Sequence, residues 1–154
     1  EGRMLVGAGT VLTADDAGRA IAAGAQIIVS PDTNVRVIEA TKAAGAVSLP
    51  GIFTPSEAFI ALAAGADALK LFPAEASSPA ALKAMLAVLP AGTIILPVGG
   101  LDEASMGPWR AAGAAGFGVG SALFHPGLGV DEVRRRARAF TSAWRGFQSP
   151  AHLV

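Results

Sequence analysis

The stretch AAGADALKLFP, residues 63–73, decides the fold of this chain. It closes a helical pattern with small residues, passes through Gly65 and continues as an apolar run to Phe72. Glycine readily adopts the left-handed conformation in which many helices end, and alanine lets a helix end lie close to a sheet. The stretch therefore predicts a helix, a glycine cap and a strand in direct succession.

The tetrapeptide Ala-Ala-Gly-Ala at the start of this stretch belongs to an internal repeat. Its four copies are at residues 22–25, 43–46, 63–66 and 111–114. With two further apolar runs, they predict strands that start near residues 4, 25, 46, 67, 94 and 115. Helices are predicted near residues 14–23, 34–44, 55–64, 78–89, 102–112 and 130–146. Four of them have a plausible N-cap residue, namely Thr13, Thr54, Ser78 and Asp102.

Unbroken alternation of strands and helices predicts an α/β fold with a parallel sheet covered on both faces. A doubly wound open sheet is the alternative. The regular repeat and the glycine-rich turns after the last two strands favour a (β/α)8 TIM barrel, because such barrels bind phosphate after strands seven and eight. We therefore expect that the first two strand–helix units are absent and would precede Glu1. Residues 1–146 are expected to form a single barrel domain, and residues 147–154 a C-terminal tail.

The composition argues against several classes of function. Lys plus Arg and Asp plus Glu both number 12, so no basic field points to nucleic acid or to an anionic membrane. There are no cysteines, which excludes disulfides and thiolate chemistry, and the two histidines are too few for a metal triad. No apolar stretch is long enough to predict a transmembrane helix. We expect a cytoplasmic protein without a bound metal.

Lys70 is the leading catalytic candidate. The other lysines, Lys42 and Lys83, lie in helical patterns, whereas Lys70 lies inside an apolar strand. Burial lowers the pKa of a lysine ammonium, and a neutral amine can attack a ketone to form an iminium. The alternative is a structural lysine whose stem packs in the core while its ammonium reaches a carboxylate or the rim.

Glycine-rich turns supply the candidate phosphate site. Gly99 and Gly100 follow one predicted strand, and Gly120 and Ser121 follow the next. Glycine allows close approach of the backbone to a ligand, and backbone N–H groups at such turns bind phosphate. Tight turns alone are the alternative interpretation. Thr10 ends the first strand and could donate its hydroxyl to an acid or carbonyl oxygen, or it could simply cap a turn.

Proline follows three of the predicted strands. Pro31, Pro50 and Pro73 each lie just past a predicted strand end. Because proline lacks a backbone N–H donor, we expect these residues to shape the rim of the barrel.

Several motifs occur in order along the chain with suitable spacing. They are Val6–Val11, Pro50-Gly51, Thr54–Ala58, Leu69–Ala74, Val98–Gly100 and Gly120-Ser121. In this set the chain resembles the 2-keto-3-deoxy-6-phospho-sugar-acid aldolases, a class I family that yields pyruvate and glyceraldehyde 3-phosphate. The resemblance extends to about residue 146.

The resemblance implies a role for each matching residue. Lys70 would form the Schiff base, Thr10 would contact the pyruvate half, and the turns with Gly99, Gly100, Gly120 and Ser121 would hold the phosphate of the sugar acid. It implies no cofactor and a homo-oligomer, commonly a trimer. The family's acid–base glutamate and its substrate-binding arginine belong to the first two barrel strands, which this sequence lacks. Glu57 and Glu75 do not match that glutamate.

Two branches of the family compete. Val98 stands where the 6-phosphogluconate type usually has threonine, and residues 120–124 also favour the 6-phosphogalactonate type. Residues 72–75 look more like the gluconate type. We favour the galactonate type. Rival interpretations are a non-catalytic phosphate-binding barrel, an inactive fragment, and a barrel similar to thiamine-phosphate synthase.

Overall fold

The computed structural model describes residues 4–146, so the predicted tail at 147–154 lies outside the described residues. Six short strands are present: β1 Gly7–Ala8, β2 Ile27–Val29, β3 Val47–Leu49, β4 Gly51–Ile52, β5 Leu69–Leu71 and β6 Ile95–Pro97. The helices are α1 Ala14–Ala22, α2 Val35–Ala43, α3 Pro55–Ala63, α4 Pro79–Leu86, α5 Met106–Ala111 and α6 Val130–Gly146. A short 3₁₀ helix, η1, spans Ala74–Ala76.

All strand pairs are parallel and follow chain order, as the alternating pattern predicts. One sheet contains β1, β2 and β3, and the second contains β4, β5 and β6. A single parallel bridge between Val98 and Gly118 continues the second sheet by one position. The strands of the described residues therefore form a parallel α/β arrangement, and they do not close into a barrel.

The two sheets are joined through residues 47–52. Leu49 O accepts a hydrogen bond from Ser30 N on one side, at 3.2 Å. Pro50 O and Ile52 O accept from Lys70 N and Phe72 N on the other side, at 2.8 and 3.1 Å. Pro50 follows the end of β3 directly, as predicted, but it is fully buried between β3 and β4. Because proline has no N–H, the hydrogen-bond ladder lacks one donor at Pro50, and the extended segment 47–52 is divided into β3 and β4.

The helices start and end close to their predicted limits because local signals fix them. Thr13, Asn34, Thr54 and Ser78 each accept a hydrogen bond from a backbone N–H of the first helical turn. After four helices the repeated glycine has a positive φ, between 75° and 110°. The glycines are Gly24, Gly45, Gly65 and Gly113. The prediction of a helix, a glycine cap and a strand is confirmed after α1, α2 and α3.

Two predicted elements depart most from expectation. The helix predicted near 102–112 begins at Met106, and its predicted N-cap Asp102 is wrong. Asp102 Oδ1 accepts from Ser105 N at 2.8 Å while Ser105 Oγ accepts from Asp102 N at 3.0 Å, so a closed turn precedes the helix. The predicted strand at 115–119 is reduced to the one bridge at Gly118, since its other edge has no strand partner among the described residues.

The main core lies between the second sheet and its helices. It includes Leu69 and Leu71 of β5 together with apolar side chains of α3 and α4, all fully buried or nearly so. A smaller cluster joins β2 to α1 and α2. Each sheet thus has one face that packs against helices and an opposite face, the open face, that those helices do not cover. No helix within residues 4–146 is long and apolar enough to cross a membrane.

Candidate active site

Lys70 projects from the open face of the second sheet. Its neighbours along β5, Leu69 and Leu71, are fully buried against the helices. Since side chains alternate along a strand, Lys70 points away from that helix layer. Its register partners on either side are Gly51 of β4 and Leu96 of β6. Gly51 has no side chain, and the backbone of Pro31 packs where its Cβ would lie, with Pro31 O 2.2 Å from that position.

The surroundings of the Lys70 ammonium are largely apolar. Nζ lies 4.4 Å from the centroid of the Phe72 ring, in cation–π geometry. Burial lowers the pKa of the Lys70 ammonium from its ordinary value. The alternative of a carboxylate partner is not realised within residues 4–146, where no salt bridge includes Lys70. Lys42, in contrast, pairs with Asp67 at 2.6 Å, and Lys83 is exposed on α4.

The predicted phosphate-binding residues meet in one cavity of about 530 Å³. Gly99 and Gly100 line it from the turn after β6, and Gly120 and Ser121 line it from the next turn. Phe72 belongs to the same lining. Because Lys70 Nζ stacks on the Phe72 ring, that ring connects the lysine to the cavity. The structure therefore brings four of the six residues that the sequence singled out into one cavity, and places Lys70 against Phe72 of its lining.

The backbone conformation and the packing require glycine at Gly99 and Gly100, but not at Gly120. Gly99 and Gly100 have φ values of 106° and 64°, which side-chain-bearing residues rarely adopt. A Cβ built on Gly99 would lie 2.3 Å from Oε2 of Glu75. At Gly120 an added Cβ would meet nothing within 4 Å. Gly120 thus borders open space, whereas the Glu75 side chain packs against the two-glycine turn formed by Gly99 and Gly100.

Sequence reasoning missed the contact of Glu75 with the two-glycine turn. Glu75 lies in η1, directly after the Phe72-Pro73 stretch, and its carboxylate is on the surface. The only signal in the sequence was the position of Glu75, four residues after Leu71, which is the neighbour of Lys70 on the strand. Which turn η1 packs against depends on the packing of two loops, and the sequence pattern does not specify that.

Thr10 stands apart from the cavity. It follows β1 at the other end of the sheet order, and it is not among the residues that line the cavity. Its φ of 58° is the single positive value at a non-glycine residue within the described chain. Strained backbone of this kind is frequent at ligand sites. Its proposed contact with a ligand stays a prediction.

The chemistry available at this site is covalent capture and anion binding. A lysine with a lowered pKa supplies a neutral amine more readily than a solvated one. Backbone N–H groups in glycine turns bind anionic oxygens. Among residues 4–146, no group of three His, Cys, Asp or Glu side chains could hold a metal ion.

Comparison with known proteins places the chain among characterised folds and families. Residues 1–135 match the family model described as "Aldolase: KDPG and KHG aldolase". The chain is 43% identical over 140 residues to a probable 2-dehydro-3-deoxy-6-phosphogalactonate aldolase of Rhizobium meliloti (strain 1021), covering 91% of this chain and 66% of the relative. It is 41% identical over 143 residues to the 2-dehydro-3-deoxy-6-phosphogalactonate aldolase of Escherichia coli (strain K12), covering 93% and 70%.

A gluconate-type relative and a solved structure complete the comparison. The 2-dehydro-3-deoxy-phosphogluconate aldolase of Treponema pallidum (strain Nichols) is 41% identical, but over only 64% of this chain and 47% of the relative. The structure described as "Native KDPGal structure" superposes with a TM-score of 0.93 at 40% identity, covering 96% of this chain and 72% of that one. The chain thus spans about two thirds of the length of the two galactonate-type relatives.

Proposed function

The chain belongs to the KDPG and KHG aldolase family, and from that membership we propose that it acts as a class I aldolase whose Lys70 forms a Schiff base with substrate. The observation that carries the proposal is the placement of Lys70. It is the one lysine of the described chain that lies on a strand, its pKa is lowered by burial, and it contacts Phe72 of the glycine-lined cavity. That combination suits an amine nucleophile better than a structural cation.

The proposed reaction begins when neutral Nζ of Lys70 attacks the C2 ketone and loss of water gives an iminium. A base removes the proton of the C4 hydroxyl, the C3–C4 bond breaks, and its electron pair moves into the iminium to give an enamine. The aldehyde product, glyceraldehyde 3-phosphate, leaves. Protonation of the enamine at C3 and hydrolysis of the resulting iminium release pyruvate and restore Lys70. The positive nitrogen is the electron sink in this scheme.

The remaining contacts are part of the same proposal. Gly99, Gly100 and Gly120 offer backbone N–H groups, and Ser121 offers a hydroxyl, to the 6-phosphate of the substrate. Thr10 holds the pyruvate half through its hydroxyl. These roles rest on the resemblance to the family and on the shared cavity lining, in which Thr10 has no part.

The proposed substrate is 2-dehydro-3-deoxy-6-phospho-D-galactonate. The galactonate-type relatives match 91–93% of the chain, whereas the gluconate-type relative matches 64%. Val98, which stands where the gluconate type usually has threonine, lines the cavity and supports the same choice. Comparing turnover of the two C4 epimers tests it: we expect the galactonate epimer to be cleaved faster, and preference for the other epimer would reverse the assignment.

We extend the proposal to the complete protein in four respects. A closed (β/α)8 barrel needs two strand–helix units more than the six predicted for this chain. Those units would carry the family's acid–base glutamate, a role worth on the order of 10²–10⁴ in rate. They would also supply its substrate-binding arginine. A cytoplasmic homotrimer is the expected assembly and location.

Borohydride trapping tests the covalent step directly. The complete protein is treated with pyruvate and sodium borohydride, and the adduct is located by peptide mass spectrometry. We expect a stable reduced adduct on Lys70, loss of that adduct in Lys70→Arg, and no change in the control Lys83→Arg, whose lysine is exposed on α4. Absence of an adduct in the folded wild-type protein would overturn the proposal, as would labelling of another lysine.

A further inference from the structure

Glu75 is fixed close to the two-glycine turn by the packing of η1. Ala74 N donates a hydrogen bond to Val98 O at 2.8 Å, which anchors η1 to the residue before the turn. A Cβ built on Gly100 would lie 2.7 Å from Cβ of Glu75, and one built on Gly99 would lie 2.3 Å from its Oε2. The Glu75 side chain therefore runs along both glycines, with its carboxylate against Gly99.

The charges around the cavity leave the Glu75 carboxylate uncompensated. The cavity lining within residues 4–146 contains one carboxylate, Asp102, and no lysine or arginine. Asp102 Oδ1 accepts a hydrogen bond from Ser105 N at 2.8 Å. No hydrogen bond or salt bridge to the Glu75 carboxylate is found among the described residues. Glu75 does not line the cavity, but its carboxylate packs against the same two glycines, so an anion held by their backbone N–H groups would lie near its negative charge.

We propose that Glu75 is a specificity-determining residue that weakens the binding of phosphate dianions at the two-glycine turn. This inference rests on the proposed function, which places the substrate phosphate at that turn. Backbone donors orient the phosphate, and the neighbouring carboxylate opposes its charge by Coulomb repulsion. The consequence is a site that recognises a phosphate ester by geometry and releases the phosphorylated product readily. Glu75 touches no reacting atom and acts on KM rather than on the chemical step.

The test neutralises Glu75 without changing its shape. Binding of inorganic phosphate to the complete protein is measured by calorimetry in wild type and in Glu75→Gln. We expect phosphate to bind roughly two- to fivefold more tightly to Glu75→Gln, given the usual strength of exposed charge pairs. The difference should shrink at high ionic strength because salt screens exposed charges, whereas an effect of packing would persist.

A matched control removes the same charge elsewhere. Glu39 is exposed on α2, remote in sequence from the cavity, so Glu39→Gln changes net charge equally and is expected to leave phosphate affinity unchanged. The rate of borohydride-trapped pyruvate adduct formation at Lys70 reports on the amine alone, and we expect it to be equal in all three proteins.

The outcomes separate this inference from the proposal on which it rests. Phosphate binding that is equal in wild type and Glu75→Gln, with normal pyruvate trapping, would overturn the role of Glu75 and leave the aldolase proposal intact. Equal tightening by Glu39→Gln would also overturn it, since the effect would then follow from net charge. Phosphate binding by neither protein would overturn both the phosphate site and this inference, and loss of pyruvate trapping in wild type would overturn the aldolase itself.

Discussion

At position 70, the burial that favours a neutral amine also opposes folding. Desolvation penalises the charged form of lysine, so the pKa of Lys70 is lowered in the folded chain while the unfolded chain keeps the ordinary value of 10.5. Between these two pKa values the unfolded chain binds more protons, so the free energy of unfolding rises with pH. Below the folded pKa the penalty is fully present. Above about 10.5 it is gone, because lysine is then neutral in both states.

Replacing Lys70 by methionine should therefore stabilise the protein while abolishing trapping. We expect Lys70→Met to raise the free energy of unfolding at neutral pH by up to about 1 kcal/mol, since part of the penalty is screened by solvent. The gain should disappear as the pH approaches 10.5. Urea denaturation across this pH range measures it, and Lys83→Met on the exposed face of α4 serves as the comparison. A gain at Lys70 that did not depend on pH would contradict the electrostatic explanation.

Single residues were predictable from sequence when one strand or one turn determined them. Lys70 stood out because a charged residue interrupts an apolar strand, and the structure places it on the face of β5 that does not pack against the helices. The four turn residues were predictable because both turns follow consecutive strands, and they share one cavity. Glu75 was not predictable, because its contact with Gly99 depends on how η1 packs on a turn more than 20 residues away.

At the scale of the element, the start of α3 shows how local sequence sets a helix boundary. Thr54 Oγ1 accepts from Glu57 N at 3.3 Å, and Glu57 Oε2 accepts from Thr54 N at 2.7 Å, which forms a capping box. Partial burial raises the pKa of the Glu57 carboxyl, but hydrogen bonds from Thr54 and from the backbone of Phe53 outweigh it, so the pKa is lowered. The box needs no tertiary contact, and the helix starts as predicted.

Removing this cap should cost stability without touching the site. We expect Thr54→Ala to lower the free energy of unfolding by about 1 kcal/mol, the usual loss for an N-cap threonine. Thermal or urea unfolding measures the change. Ser56→Ala in the same helix, at an exposed position without a capping bond, should change stability by less than about 0.5 kcal/mol. Equal effects of the two substitutions would show that the loss does not come from the cap.

Elements that need a distant partner were predicted less well than the helices. The strand expected at 115–119 forms a single bridge, because a strand exists only where a neighbouring strand pairs with it. The apolar run was visible in the sequence, but its pairing was not. The helix expected at 102 begins at Met106 because Asp102 and Ser105 satisfy each other's backbone groups instead of opening the helix.

At the scale of the whole molecule, Asp67, just before β5, links the two sheets through hydrogen bonds. Asp67 accepts from Lys42 Nζ at 2.6 Å and from Ser48 N at 2.8 Å, so it links α2, β3 and the start of β5. Desolvation raises the pKa of the Asp67 carboxyl, but these hydrogen bonds outweigh it and the pKa is lowered. The stabilisation is therefore present above the unfolded value of 3.8 and is lost as the pH falls through the folded pKa.

Asp67→Asn should weaken the fold and spare the chemistry. We expect a loss of about 1 kcal/mol in the free energy of unfolding at neutral pH, modest because both side chains are about one third exposed. The loss should vanish well below pH 3.8, where wild-type Asp67 is also uncharged. Pyruvate trapping on Lys70 in the folded variant should match wild type. Reduced trapping in a fully folded Asp67→Asn protein would contradict this separation of stability from function.

The order of the strands was predictable, and their closure was not. Parallel pairing in chain order follows from a repeat in which a helix separates each pair of strands, and the structure has that order. Closure requires a partner for the last strand, and the described residues provide only the bridge from Val98 to Gly118. The strand–helix repeat in the sequence is the same in an open sheet and in a closed barrel, so it does not predict whether the first and last strands pair.

The buried proline between β3 and β4 has a consequence for how the molecule opens. Pro50 has no amide hydrogen to exchange with solvent, and one backbone hydrogen-bond donor is therefore missing where the two sheets join. Hydrogen exchange under native conditions often divides proteins into cooperative units of different protection. We expect the border between two such units to lie at this residue, with the amides of β2 and β3 exchanging as one group and those of β5 and β6 as another. The segment from β1 to β3 could then open locally while the surroundings of Lys70 stay folded.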